Sequence, residues 1–380
     1  MDIDDVRDFI DRLNEEGPAV FADPSSVEDF HGELNRMEAF FNSVVGEFDA
    51  WGEYAVDGAQ SAAAWLTARC RIQAGQARNQ VRRARELRQL KECAGAWRDG
   101  DINAAHVDVI CRKHKGATEH ALERDEAMLV DNARTLRFSD FTRMMEYWSQ
   151  RADPDGTEAD AEARRNRRDV YLVPSVDDMY FGRMNLDPIS GAIVSDELRR
   201  IEAEMFEADR QEAKARLAFE PTALDLIRTH NQRRADALVE MATRSKSVPT
   251  GASRPAPLFS VLVDYETLHG RICQLAQGTV ISPGSLIPWL DQAYIERAVF
   301  DPPKRVEVSA TTRLFKGATR RALELRDQIC THLYCEQPAA DCQADHIQPF
   351  ALGGPTTQEN GRVLCGFHNR LRSQRQPLRE

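Results

Sequence analysis

The chain has 380 residues, of which 42% are hydrophobic and 29% charged, with a formal net charge of −11 at pH 7. That is enough length for two or three domains with a sizeable core, and the balance fits an ordinary soluble protein. The acidity excludes a protein coated in basic surface. The start, MDIDDVRDFIDRL, lacks the basic and apolar regions of an export signal, and no apolar run approaches the ~20 residues that span a bilayer. A cytoplasmic protein with no membrane is expected.

In chain order, residues 1 to about 150 show helical periodicity with few breakers. SSVEDFHGELNRMEAFFNSVV predicts one helix, capped by Ser25 or Ser26, and the long run from Ser61 to Trp97 predicts another, starting at Ser61. Arg78, Arg82 and Arg85 fall on one face of that run, opposite Leu87 and Leu90. Phosphate contact is one reading, and a solvated charged face is the commoner one. GDINAAHVDVI, residues 100–110, reads as a turn, an Asn103 cap and an amphipathic helix with His106 packed in the core. ADPDGTEADAEARRN, residues 152–166, reads as a linker or a solvated helix start. Val170, Leu172, Met179, Phe181 and Met184 predict two short strands around a turn at Pro174–Asp178. Helices are expected at Gly191–Leu217 and Pro221–Arg244, then a Pro/Gly/Ser-rich loop at 243–257 and a buried strand at 258–268. A boundary near 301–316 precedes the helical GATRRALELRD.

Cysteine usage separates two classes. Cys70, Cys93, Cys111 and Cys273 are scattered and read as buried thiols in a reducing compartment. Cys330, Cys335, Cys342 and Cys365 fall within 36 residues. A C-x4-C pair, Cys330 and Cys335, is followed 30 residues later by a C-x2-H pair, Cys365 and His368. Two such knuckles flanking a loop are what tetrahedral Zn²⁺ requires. The segment is too small for a full apolar core, and zinc would supply of order 10–16 kcal/mol. Cys342 and His332 are spare donors, ranked lower because neither belongs to a matched pair.

Between the pairs stands CQADHIQPFALGG. Asp345 is a hard oxygen ligand suited to Mg²⁺ or Mn²⁺, and the adjoining His346 can take a proton near pH 7. Asn360 and Asn369 follow, and an Asn amide can coordinate a hard ion or pin a loop. Residues 320–380 contain eight Arg, no Lys and seven Asp or Glu, a net +1 against −12 for the rest, which is weakly consistent with nucleic-acid contact there.

The ordered set D-H, a G-G loop, N, a strand, then L-C-x2-H-N resembles the HNH nuclease motif of ββα-metal folds, over residues 326–375. The resemblance implies a first strand ending at Asp345–His346, a loop through Gly353–Gly354, a second strand at Gly361–Leu364 and a helix from near Gly366. It also implies His346 as general base, Asp345 and Asn369 as ligands of the catalytic Mg²⁺ or Mn²⁺, Asn360 as the residue fixing the loop, and Cys330, Cys335, Cys365 and His368 as the structural zinc set. Many members have His where this chain has Asn369. Arg370, Arg372 and Arg375 are placed to grip phosphates of DNA without reading sequence.

The larger body also looks familiar. Trp51, SAAAWL at 61–66, GDINAAHVDVI, LDPISGA at 186–192, RRADALVEMA at 233–242 and TTRLFKGATRRALELRD at 311–327 are similar to an actinobacterial family. There a domain of unknown function (number 222, 13E12 repeat-like) precedes an HNH motif. The expected fold is therefore α+β. A mainly helical body with a few short strands spans 1–300, a connecting segment 301–325, and a ββα-metal domain 326–380. The expected function is a metal-dependent DNA endonuclease. The alternatives are a catalytically silent, zinc-stapled DNA-binding module and a structural protein ending in a zinc knuckle. The sequence names no protein partner.

Overall fold

The computed structural model describes residues 3–175, 177, 179–217, 219–247, 258–264, 273–275, 279–282, 285–286, 294–300 and 314–375. The chain divides into two compact units, Met1–Asp153 and Pro154–Glu380.

The first unit is helical: α1 (Ile3–Glu16), α2 (Pro24–Trp51), α3 (Ala62–Arg69), α4 (Ala74–Glu86), α5 (Lys91–Asp99), α6 (Ala104–Lys113), α7 (Glu119–Thr135) and α8 (Phe138–Ala152). Its main core gathers Leu90, Trp97, Ile110, Leu122, Phe141 and Met145 from five different segments. Asp23, not Ser25 or Ser26, caps α2. Its carboxylate accepts from the Ser25 and Ser26 amides, each at 3.1 Å. Ser61 does start α3, accepting from the Ala64 amide at 3.2 Å. The run from Ser61 to Trp97 is three helices rather than one. Arg71 breaks it with φ of 56°, in the left-handed region, and Leu90 breaks it again in a non-helical conformation that buries its side chain. Asn103 caps α6 as expected, and the half-buried His106 packs edge-on against Phe138 with ring centroids 5.1 Å apart. Arg82 pairs with Asp108 and Arg85 with Asp49, so neither stands as an unpaired cation. Cys93 and Cys111 are buried, but Cys70 is exposed, because α3 ends there and the turn carries it outward.

In the second unit, residues Pro154–Asn166 form helix α9 with no buried residue, the solvated helix of the two readings and not the linker. The hairpin β1 (Asp169–Pro174) and β2 (Tyr180–Asn185) pairs antiparallel, in the expected place. Helix α10 (Pro188–Leu217) packs against α11 (His230–Ser247) through Leu198, Ile201 and Ala237. α11 starts later than Pro221, because Thr222 and Asp225 cap each other in a separate single turn. A four-stranded sheet runs in the order β5 (Val280–Ile281), β4 (Cys273–Leu275), β3 (Leu258–Asp264), β6 (Tyr294–Phe300), with only β3 and β6 parallel. The strand expected at 258–268 is β3 as far as Asp264. Its side-chain burial, residues 265–268, the side chain of Cys273, the loop 248–257 and the boundary 301–313 lie outside the described residues. The unit ends with α12 (Gly317–Asp327), β7 (Gln343–His346), β8 (Gly361–Leu364) and α13 (Gly366–Arg375). The chain is thus mainly helical with a few short strands. Among the described residues, no helix is long and apolar enough to cross a membrane.

Candidate functional site

The strands β7 and β8 form an antiparallel pair in which Asp345 faces Arg362 and His346 faces Gly361. Their floor is α12. Phe315, Leu323, Val363 and Leu364 pack with Cys330, Ala339 and Cys342 into one small core. Gly361 is required by that packing, since a Cβ there would stand 2.7 Å from both Leu323 Cδ1 and Phe315 Cε1. Arg326 of α12 donates to the carbonyls of Gln358 at 2.6 Å and Gly361 at 2.8 Å, and Asp327 accepts from the Val363 amide at 3.0 Å. The boundary placed at 325/326 by sequence therefore cuts a helix that belongs to the hairpin's core.

Cys330, Cys335, Cys365 and His368 converge, with one donor atom from each lying within 4.8 Å of all the others. Cys335 Sγ is 3.9 Å from Cys365 Sγ, and His368 Nδ1 is 3.2 Å from Cys365 Sγ and 3.7 Å from Cys330 Sγ. Tetrahedral vertices around Zn²⁺ with bonds of ~2.0–2.3 Å are separated by roughly 3.3–3.8 Å, so the cluster could hold a metal such as zinc. Burial raises the Cys335 thiol. Cys365 is also pushed up by burial, but the His368 amide, the Cys335 thiol and the Phe367 amide bring it below the ordinary value. His368 is held below its usual range by burial and by His332, whose ring stacks on it at 3.7 Å. A thiol eased toward thiolate and a neutral imidazole are the forms a soft ion takes. Cys342 is outside the cluster. It is buried, it donates to the Gln337 carbonyl at 3.6 Å, and burial pushes its thiol up to about 12.

The loop from β7 to β8 is tied by Asn360. Its Oδ1 accepts from the Gln348 amide at 2.8 Å, while Nδ2 donates to the carbonyls of Gln348 at 3.1 Å and Pro355 at 2.8 Å. Gly353 takes φ of 81°, and a Cβ on Gly354 would meet the Gln348 oxygen at 2.0 Å, so both glycines are demanded by the backbone path. His346 Nε2 lies 2.9 Å from the hydroxyl of Thr356, which is only 1% exposed, and the ring leans on Phe315 with centroids 4.4 Å apart. Thr356 and Phe315 were not singled out from sequence. The buried Thr in PTTQEN is a weak signal, and Phe315 lies 31 residues away from His346.

Asp345 is half-buried, and its Oδ2 accepts from Arg362 Nε at 3.1 Å and also from Arg372 of α13. Arg372 further donates to the Ile347 carbonyl at 2.7 Å, so it faces inward. Both arginines use Oδ2, which leaves Oδ1 as the oxygen for another ligand. Asn369 Nδ2 donates to Gln343 Oε1 at 2.6 Å, which ties the start of α13 to the start of β7. Arg370 is exposed, and the side chain of Arg375 lies outside the described residues. The structure thus brings His346, Asn360 and the Cys/His cluster onto one hairpin and its flanks, and it gives Asp345 two cationic partners.

Similar proteins carry no functional description. Rv1128c of Mycobacterium tuberculosis, an uncharacterized protein, is 26% identical over 339 residues, covering 80% of this chain and 73% of that protein. Rv1945 of the same organism, also uncharacterized, is 24% identical over 301 residues, covering 74% of this chain and 64% of that protein. Mb1179c of Mycobacterium bovis, likewise uncharacterized, is 25% identical over 301 residues, with the same shares of 74% and 64%. No solved structure matches. The family model described as a domain of unknown function (DUF222) matches residues 25–327, and the chain belongs to that family.

Proposed function

We propose that the protein is a metal-dependent DNA endonuclease whose chemistry resides in an HNH-type ββα element formed by β7, β8 and α13. The observation that carries this reading is the placing of His346 at the end of a strand whose following loop is locked by Asn360. Phosphodiester hydrolysis needs a nucleophile stronger than water. In the tautomer in which Nε2–H donates to the Thr356 hydroxyl, the lone pair of His346 would sit on Nδ1, the nitrogen that would then take the proton from the attacking water. Such a base contributes roughly 10²–10⁴ in rate. Phe315 and the Asn360 ties keep the ring from turning away, which is the positional part of catalysis. A Mg²⁺ or Mn²⁺ ion held by Asp345 and Asn369 would neutralise charge on the phosphate and the leaving oxygen. Zn²⁺ on the Cys/His cluster serves as a staple for the frame.

A second reading, the catalytically silent zinc-stapled DNA-binding module, is favoured by one specific feature. The carboxylate assigned to the hard ion already has two guanidiniums on Oδ2. The two readings part in one experiment. Full-length chain is incubated with supercoiled plasmid and single-stranded DNA in Mg²⁺ or Mn²⁺, alongside His346→Ala. Cleavage lost in His346→Ala, with DNA binding retained, supports the nuclease. Binding without cleavage by the wild type supports the module.

A further inference from the structure

We propose that His114, Glu119 and Glu123, in the helical first unit, form a binding site for a first-row divalent cation. All three residues belong to the first unit, and the site does not depend on the nuclease reading.

The local chain builds the site. His114 ends α6, leaving the helix with ψ of 78°. A single tight turn, Gly116–Thr118, follows, with Gly116 at φ of 53°. The Thr118 hydroxyl holds that turn by donating to the Lys115 carbonyl at 2.8 Å. Helix α7 then begins at Glu119, and Glu119 and Glu123, four residues apart, lie on the same helix face, toward His114. One donor atom of each residue lies within 4.8 Å of the other two.

The imidazole is prepared as a ligand. The His114 side chain is 2% exposed, and its Nδ1 lies 2.5 Å from Glu86 Oε2 of α4. A carboxylate on Nδ1 fixes the proton there and turns the Nε2 lone pair outward, the arrangement that orients metal-bound histidines. Nε2 is buried and has no hydrogen-bond partner, a costly state for a polar atom. It points to Glu123, whose Oε1 is 3.8 Å away. That gap is too long for a hydrogen bond but matches two ligands sharing one ion at ~2.0–2.2 Å each. Among the described residues, neither Glu119 nor Glu123 is paired with a Lys or Arg. The imidazole excludes a preference for Mg²⁺ or Ca²⁺, and the absence of sulfur separates this site from the Cys/His cluster. Glu123 is 44% exposed, so solvent completes the coordination from outside.

The test uses full-length chain carrying Asp345→Ala and Asn369→Ala, so that the second unit offers no hard site, and holding a single equivalent of zinc on the thiolate cluster with all excess zinc removed. Co²⁺ is titrated in and followed by calorimetry and visible absorption. The expected result is one Co²⁺ per chain, with weak d–d bands and no thiolate charge-transfer band. Adding Glu119→Gln and Glu123→Gln should weaken binding at least tenfold with unchanged circular dichroism. Nitrogen NMR of His114 should show proton-bearing Nδ1 and a Co²⁺-shifted Nε2. The proposal is overturned if the double glutamine variant binds Co²⁺ as tightly as its parent. It is equally overturned if no Co²⁺ binds, and both ring nitrogens protonated at pH 7 by NMR would then make the cluster an ion-paired imidazolium only.

Discussion

Asp345 and Arg362 face each other across the β7–β8 pair, with Arg362 Nε 3.1 Å from Asp345 Oδ2, and Arg372 of α13 reaches the same oxygen. The carboxylate is thereby tied to both the neighbouring strand and the closing helix. A divalent ion at Asp345 would share its ligand with two guanidiniums, and each cation would weaken the other's hold.

Arg372→Ala separates two roles for that side chain. If Arg372 restrains Asp345, the variant should reach half-maximal cleavage at a roughly three- to tenfold lower Mn²⁺ concentration, with DNA affinity nearly unchanged. If Arg372 grips phosphate, DNA affinity should instead fall evenly across sequences, and the salt dependence should lose about one unit of slope. A metal titration and a salt series on one preparation decide between them.

The Cys/His cluster predicts one zinc per chain by elemental analysis. Cys335→Ser should lose it and melt the tail while the helical unit keeps its circular dichroism, because the apolar core around Val363 and Leu323 is small. Cys342→Ser should retain zinc, since Cys342 bonds Gln337 and lies outside the cluster. Zinc loss in Cys342→Ser with retention in Cys335→Ser would reassign the ligands.

Thr356→Val keeps the shape but removes the hydroxyl that engages His346 Nε2 at 2.9 Å. Cleavage should drop about 10- to 100-fold as the ring loses its fixed tautomer. Stability should fall by only ~1 kcal/mol, the typical worth of one hydrogen bond. Equal turnover by Thr356→Val and wild type would remove Thr356 from the mechanism.

Much of this hairpin was legible because its signals lie close together in sequence. The end of β7 at His346, the limits of β8 and the glycine loop come with the resemblance to the HNH motif, and the Cys/His pairs come from the spacing that ligand geometry demands. What was not legible depends on distant partners. Nothing adjacent to Arg362 or Arg372 announces Asp345, and Leu323 reads as one more helical leucine until Gly361 is laid against it. In the helical unit, Arg71 adopts a left-handed conformation that residue propensity opposes, so the break between α3 and α4 could not be read from periodicity.

His106 gives the helical unit a pH dependence of known sign. Burial holds its imidazole below the ordinary value of about 6.5. Between the two values the unfolded chain binds more protons, so stability rises with pH. The contribution is therefore present at pH 7 and is lost as pH falls through the ordinary range toward the lowered one. Urea melts between pH 5 and 7.5 should show this slope, and His106→Gln should flatten it. An unchanged slope would place the titration in another group.

Phe315 and Leu323 lie within the stretch matched by the family model, residues 25–327, yet they form the floor on which β8 rests. A recombination that carried residues 328–380 to another gene would deliver the strands, the cysteines and the histidines without the helix that seats Gly361. The heritable piece is therefore longer than the motif within it, and a transplant that begins upstream of Phe315 should fold where one beginning at Gln328 does not.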